Sequence, residues 1–202
     1  MHGMKLYRTL KFLMGWLIRL IFNLKITGAK GLPRDGAYIL CANHISNIDP
    51  ILIAAAHKRP VRYMGKAELF EVPVLRRLLR WLGAFPVKRG ESDQEAIKKS
   101  FSILEDGGVM GMFPEGTRSK DGELLKLKSG AAMIAYKMKV PVLTVAIYTK
   151  KGRVHPFKRT AIRFGELTTI EELGLAEGTT TEIRAATRLI ADKIAALREE
   201  LI

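Results

Sequence analysis

Apolar residues fall into two patterns along this chain. Short, nearly continuous runs at residues 37–42, 61–64, 84–88, 109–113, 142–148 and 161–164 have the length and composition of strands buried within a sheet. Between them, residues 51–57, 74–82, 93–105, 129–139 and 179–201 carry apolar side chains at helical spacing. Punctuation supports these boundaries. Asp49-Pro50 reads as an N-cap followed by a first helical position, Gly107-Gly108 closes the helix at 93–105, and Thr179 with Glu182 forms a capping-box pattern. The alternation predicts an α/β protein: a single domain with a mixed, mostly parallel central sheet flanked by helices.

The first 27 residues follow a different rule. On a helical wheel Leu6, Leu10, Leu13, Leu17, Leu20, Ile21 and Leu24 share one arc, while Lys5, Arg8, Lys11, Arg19 and Lys25 gather on the other side. Spanning a bilayer takes about 20 predominantly apolar residues, and Arg19 breaks the stretch, so the pattern predicts a helix lying in the membrane interface rather than crossing it. Trp16, Phe12 and Phe22 suit that boundary, and no small-residue cleavage site of a signal peptide follows. A core helix packed on the domain remains the alternative, and the two are compatible if one flank faces lipid. The chain thus divides into an amphipathic interface segment at 1–28 and a domain at 29–202.

Composition sharpens this picture in two respects. The 34 Lys and Arg against 20 Asp and Glu give a formal charge of +14, which calls for a polyanionic partner, either nucleic acid or an anionic membrane. No helix-turn-helix or RNA-binding aromatic motif is present, and a nucleic-acid module leaves the N-terminal apolar stripe unexplained, so the membrane is the expected partner and nucleic acid is not. A further basic stretch, Lys150, Lys151, Arg153, Lys158, Arg159 and Arg163, reads either as a solvated loop or as a second membrane-facing patch. The single Cys41, inside an apolar run, excludes an intramolecular disulfide and reads as a small buried hydrophobe.

Two polar clusters, each directly after a predicted strand, carry the candidate chemistry. In Asn43-His44-Ile45-Ser46-Asn47-Ile48-Asp49 a turn can bring Asp49 onto one nitrogen of His44, leaving the other free to accept a proton from a hydroxyl. Ser46 is a poor nucleophile candidate, because no G-x-S-x-G elbow surrounds it and two residues of separation from His44 make the geometry awkward. In Phe113-Pro114-Glu115-Gly116-Thr117-Arg118-Ser119 the guanidinium of Arg118 can hold a phosphate, Gly116 lets backbone approach closely, and Glu115 and Thr117 can bond hydroxyls. Lys66 and Arg89 stand at equivalent strand ends, so several cations can converge on one edge. The four dispersed histidines and one cysteine show no zinc spacing, and there is no Walker A loop.

Four ordered blocks, N-H-I-S-N-I-D at 43–49, G-A-F-P-V-K-R at 83–89, F-P-E-G-T-R-S at 113–119 and V-P-V-L-T-V-A-I at 140–147, resemble those of the glycerolipid acyltransferases with their H-x4-D motif. Pro86 and Thr144 depart from the pattern, where an aliphatic residue and a proline are usual. The resemblance implies direct acyl transfer from acyl-CoA or acyl carrier protein to a lysophosphatidate hydroxyl, without metal or cofactor, at the cytoplasmic face of the membrane. His44 is then the base and Asp49 its orienting partner, with Lys66, Arg89, Glu115, Gly116, Thr117 and Arg118 holding the acceptor. Glycerol 3-phosphate or another lyso-lipid is the alternative acceptor, and a basic non-enzymatic membrane- or nucleic-acid-binding protein is the alternative class.

Overall fold

In β2 (Tyr38–Ala42) every side chain is buried, and alternate residues feed two different cores. Ile39 and Cys41 point to one face and Tyr38, Leu40 and Ala42 to the other, as the two-residue period of a strand requires. A strand covered on both sides is apolar throughout, which is why this segment reads as a continuous run. The computed structural model describes residues 14–81, 83–87 and 93–202.

Seven strands form one sheet, with β2 at its centre. The others are β1 (Leu24–Thr27), β3 (Val61–Lys66), β4 (Phe85–Val87), β5 (Val109–Met112), β6 (Val142–Tyr148) and β7 (Thr160–Thr168), and the spatial order is β1-β7-β6-β2-β5-β3-β4. All neighbours are parallel except β6 and β7, so the mixed, mostly parallel sheet matches the sequence expectation. Thr144 stands where the β6–β7 register shifts, between Leu143 and Val145.

Helices cover both faces. Helical residues 14–21 (α1) and α2 (Asp49–Ala56) lie on the side of Tyr38 and Leu40, where Ile18, Phe22, Leu52 and Ile53 meet the sheet. On the opposite face α4 (Asp93–Glu105), α5 (Gly130–Met138) and α6 (Thr180–Glu199) contribute Ile103, Leu104, Ala131, Ala135, Ile190 and Ile194. A further helix, α3 (Pro73–Trp81), joins β3 to β4. The start of α6 carries the capping box expected from Thr179 and Glu182, each satisfying the other's backbone N–H.

The structure departs from the sequence reading in three places. Residues 24–27, counted in the N-terminal amphipathic helix, form β1 instead: the helix ends at residue 21, Asn23 turns the chain with φ 41°, and Leu24–Thr27 pairs in register with Thr160–Arg163. Arg19, expected to face anionic headgroups, is exposed but engaged with the protein. Its Nε and Nη2 donate to the Ala55 carbonyl at 3.0 and 2.6 Å, capping the negative end of α2. Trp16, Leu17 and Leu20 are exposed on the same helix. Asp49 is the first residue of α2 rather than its N-cap, with Ile48 in the cap position, because its carboxylate is drawn back to the loop before it. The leading residues of the amphipathic pattern, including Lys5, Leu6, Arg8, Leu10, Lys11, Phe12 and Leu13, lie outside the described residues. Among the described residues, no helix is long and apolar enough to cross a membrane.

Candidate active site

Neighbouring strands β2 and β5 run parallel and end together, with Cys41 opposite Met112, so the two polar clusters leave the sheet side by side. The carboxyl ends of parallel strands are where open α/β sheets place ligands.

His44 and Asp49 meet as the sequence suggests. Nδ1 of His44 lies 2.8 Å from Asp49 Oδ2, and a carboxylate only accepts, so Nδ1 carries a proton and donates it to this bond. The same oxygen receives the backbone N–H groups of Ile45 and Ser46, both at 2.7 Å. Asp49 is wholly buried, while the His44 side chain keeps 18% of its surface exposed. A hidden carboxylate thus anchors, through one ring nitrogen, an imidazole that stays partly exposed. Ser46 takes a structural part: its N–H donates to Asp49 and its hydroxyl accepts from the Ile48 N–H at 3.4 Å.

The second cluster splits into a buried and an exposed half. Glu115, expected to bond substrate hydroxyls, is 4% exposed and holds backbone instead: Oε1 accepts the His44 N–H at 2.7 Å and Oε2 the Leu125 N–H at 3.0 Å. Burial pushes its carboxyl above the usual range, against the pull of these two bonds. The N–H of Ser119 closes the loop onto the His44 carbonyl at 2.8 Å. Gly116, Thr117 and Arg118 are exposed beside this frame. Gly116 has φ 71°, a left-handed turn that favours glycine, and a β-carbon there would lie 2.9 Å from both Cε and Nζ of Lys128. Lys128 therefore adds a cation over the turn.

Sequence reasoning missed this lysine, since only the missing glycine side chain makes room for it. It also assigned nothing to Asn43, Phe113 and Tyr63. The amide of Asn43 exchanges two hydrogen bonds with the backbone of Ile147, at 2.9 and 2.7 Å, tying the loop that carries His44 to β6. Phe113 stacks on the His44 ring with centroids 4.2 Å apart, and Tyr63 stacks behind it at 5.5 Å. Burial, reinforced by the Asp49 charge, holds the Tyr63 hydroxyl well above the usual phenol range, so it stays protonated. The only signal for Asn43 and Phe113 was their place at the head of the two clusters, and for Tyr63 there was none, since it sits within β3.

Lys66 ends β3, on the same sheet edge. Arg89 lies outside the described residues. A cavity of about 460 Å³ opens between β4 and α4, lined by Phe85, Val87, Lys98 and Ser102 among others, with β5 and β3 separating β4 from the strand that carries His44. Cys41 is buried in the core and its thiol is pushed up to about 12, so it is inert in the chemistry.

An imidazole oriented by a buried carboxylate, beside an exposed cationic loop at parallel strand ends, has the chemistry a general base for a hydroxyl on an anionic substrate would need. The acyltransferase family model matches residues 23–148, a span that contains the whole arrangement, and the chain belongs to that family. It is 29% identical over 138 residues to the 1-acyl-sn-glycerol-3-phosphate acyltransferase of Bacillus subtilis, covering 68% of each chain. To the Streptococcus pneumoniae protein of the same name it is 33% identical over 146 residues, covering 69% of this chain and 53% of that one. A match to the Borreliella burgdorferi protein of that name spans half of its length. Among solved structures, the 1-acyl-sn-glycerophosphate acyltransferase PlsC of Thermotoga maritima superposes with a TM-score of 0.71 at 27% identity, covering 94% of this chain and 78% of that one.

Proposed function

We propose that this chain transfers a fatty acyl group from an acyl thioester, acyl-CoA or acyl carrier protein, to the sn-2 hydroxyl of lysophosphatidate, forming phosphatidate. The observation that carries the reading is the His44–Asp49 pair, whose partly exposed imidazole leaves the sheet at the same edge as the exposed Gly116, Thr117 and Arg118.

His44 Nε2 takes the proton of the acceptor hydroxyl as its oxygen attacks the thioester carbonyl. The new C–O bond gives a tetrahedral oxyanion, and the imidazolium is stabilised by Asp49. Collapse breaks the C–S bond, and the leaving thiolate takes the proton from His44, restoring the base. The atoms balance without a metal, a cofactor or an acyl-enzyme. Arg118 and Lys128 supply cations for the acceptor phosphate, Lys66 and Arg89 belong to the same edge by sequence, and Gly116 and Thr117 supply backbone and hydroxyl contacts. Glu115 serves by holding the loop.

Because acceptor and product are membrane lipids, the exposed Trp16, Leu17 and Leu20 of α1 have a partner in the bilayer. We place the protein peripherally at the cytoplasmic face, with anionic lipid matching its +14 charge. The test is incubation with acyl-CoA or acyl carrier protein and a panel of lysophosphatidate, glycerol 3-phosphate and other lyso-lipids, with products identified by mass spectrometry. Phosphatidate formation from lysophosphatidate supports the reading, preference for glycerol 3-phosphate replaces the acceptor, and no product from any pair removes the reaction.

A further inference from the structure

The loop between β6 and β7 is left unused by this chemistry, yet it emerges at the catalytic edge. Strand β6 runs parallel to β2, so its carboxyl end lies level with His44, and the loop at 149–159 begins there. At its tip Phe157 is 79% exposed. Its φ of 61° is a left-handed conformation, unfavourable for an aromatic residue. Lys150, Lys151, Arg153, Lys158 and Arg159 are exposed around it.

The loop is braced at both ends of its path. The Phe157 N–H donates to the Ile21 carbonyl at the end of α1 at 2.5 Å, and the Thr160 N–H to the Phe22 carbonyl at 3.3 Å. On the other side Gly152 packs so closely on the turn after Arg118 that a β-carbon on Gly122 would lie 2.5 Å from its Cα. Arg153 Nε reaches the Lys120 carbonyl at 3.4 Å. A fixed apolar tip within a ring of cations therefore joins the exposed Trp16, Leu17 and Leu20 of α1 to the substrate loop.

We infer that the loop at 149–159 is a second membrane anchor: Phe157 inserts among the acyl chains of an anionic bilayer while the surrounding lysines and arginines contact its headgroups. Combined with α1, it makes two points of attachment at the edge of the sheet that carries His44, so the site opens toward lipid rather than toward water. The proposal rests on the membrane-lipid reading above, but adds a site that this reading does not need. The mixture of cations with exposed leucine, tryptophan and phenylalanine matches a charged surface with an apolar interior. An acidic folded protein would account for the cations alone.

The test measures partition of the full chain onto phosphatidylcholine vesicles with and without phosphatidylglycerol, independently of turnover. Phe157→Gly lowers partition about tenfold, from loss of a buried aromatic group. Because glycine adopts φ 61° freely, its thermal midpoint does not fall, which separates lost docking from lost folding. Lys158→Ala with Arg159→Ala lowers binding to the anionic vesicles by roughly 20- to 30-fold, about fivefold per charge, and leaves the neutral ones nearly unchanged. Unaltered vesicle partition of both variants would overturn the proposal. Unaltered partition together with a raised KM for acyl carrier protein alone would overturn it in favour of a protein-docking loop. Since partition needs no turnover, an inactive wild type would count against the proposed reaction and leave this result readable.

Discussion

Asp49→Asn removes the charge that the mechanism needs while keeping most of the geometry. Oδ2 of Asp49 accepts three hydrogen bonds, from His44 Nδ1, Ile45 N and Ser46 N, whereas Oδ1 is buried with no partner among the described residues. An asparagine can put its carbonyl oxygen where Oδ2 was, keeping the three donors paired, and its amide where Oδ1 was. The variant leaves only its own amide without a partner, at a cost of about 1–3 kcal/mol, whereas Asp49→Ala would strand three donors at once. What disappears is the attraction between the carboxylate and the imidazolium formed when His44 takes the proton. For opposite charges about 4 Å apart, Coulomb's law at an effective dielectric of about 20 gives roughly 4 kcal/mol. Because the imidazolium forms as His44 takes the hydroxyl proton, this attraction grows toward the transition state, and a loss of about 10²- to 10³-fold in kcat follows. The KM for lysophosphatidate should move by less than about threefold, because binding of the ground state does not use that charge. Thioester cleavage followed by thiol release, with circular dichroism and thermal melting in parallel, measures both. Retention of more than about a tenth of wild-type kcat in a normally folded variant would refute the assignment of Asp49 as electrostatic partner of the base.

The same reasoning extends to the loop. Arg118→Ala and Lys128→Ala should each lower kcat/KM for the phosphate-bearing acceptor by about 10- to 100-fold, the worth of a charge-assisted hydrogen bond, while KM for the acyl donor changes little; equal effects on both substrates would contradict the phosphate pocket. Glu115→Gln keeps one acceptor but points an amide donor at a backbone N–H, costing about 1–3 kcal/mol and several degrees of thermal midpoint. The sign of its pH dependence is also determined. Because burial raises the folded-state pKa of Glu115, its titration favours the folded state most below the unfolded value of about 4.3, and that contribution is lost as pH rises through the folded value. Denaturant titrations of wild type and Glu115→Gln should therefore show a stability difference that narrows from acid to neutral pH, and a widening difference would oppose this account.

Strands buried on both faces were the most legible part of the chain. The run at 142–148 coincides with β6, and 37–42 with β2 to within one residue, because such strands lack the polar interruptions that blur other elements. The helix at 93–105 also matches. Strand β1 was hidden for the opposite reason. Leu24 and Lys25 continue the helical wheel, and what makes them a strand is pairing with Thr160 and Ala161, far along the sequence. Spacing likewise put His44 and Asp49 in reach of each other, since five residues of loop allow few other arrangements. It gave no means of telling that Glu115 points into the protein and Arg118 out of it. That difference depends on backbone N–H groups of His44 and Leu125, which no side-chain pattern records. Arg19 is similar: its partner is a carbonyl at the end of α2, so a charge that seemed to belong to the lipid side is spent on capping a helix.

His44 as the base for acyl transfer to lysophosphatidate is tested most directly by its removal. Wild type and His44→Ala should be compared in mixed micelles containing an acyl thioester and lysophosphatidate, with phosphatidate quantified by mass spectrometry and folding checked by thermal melting. Phosphatidate is expected from the wild type, with a loss of about 10²- to 10⁴-fold in the variant and lipid binding retained. Comparable phosphatidate formation by a folded His44→Ala protein would contradict that role.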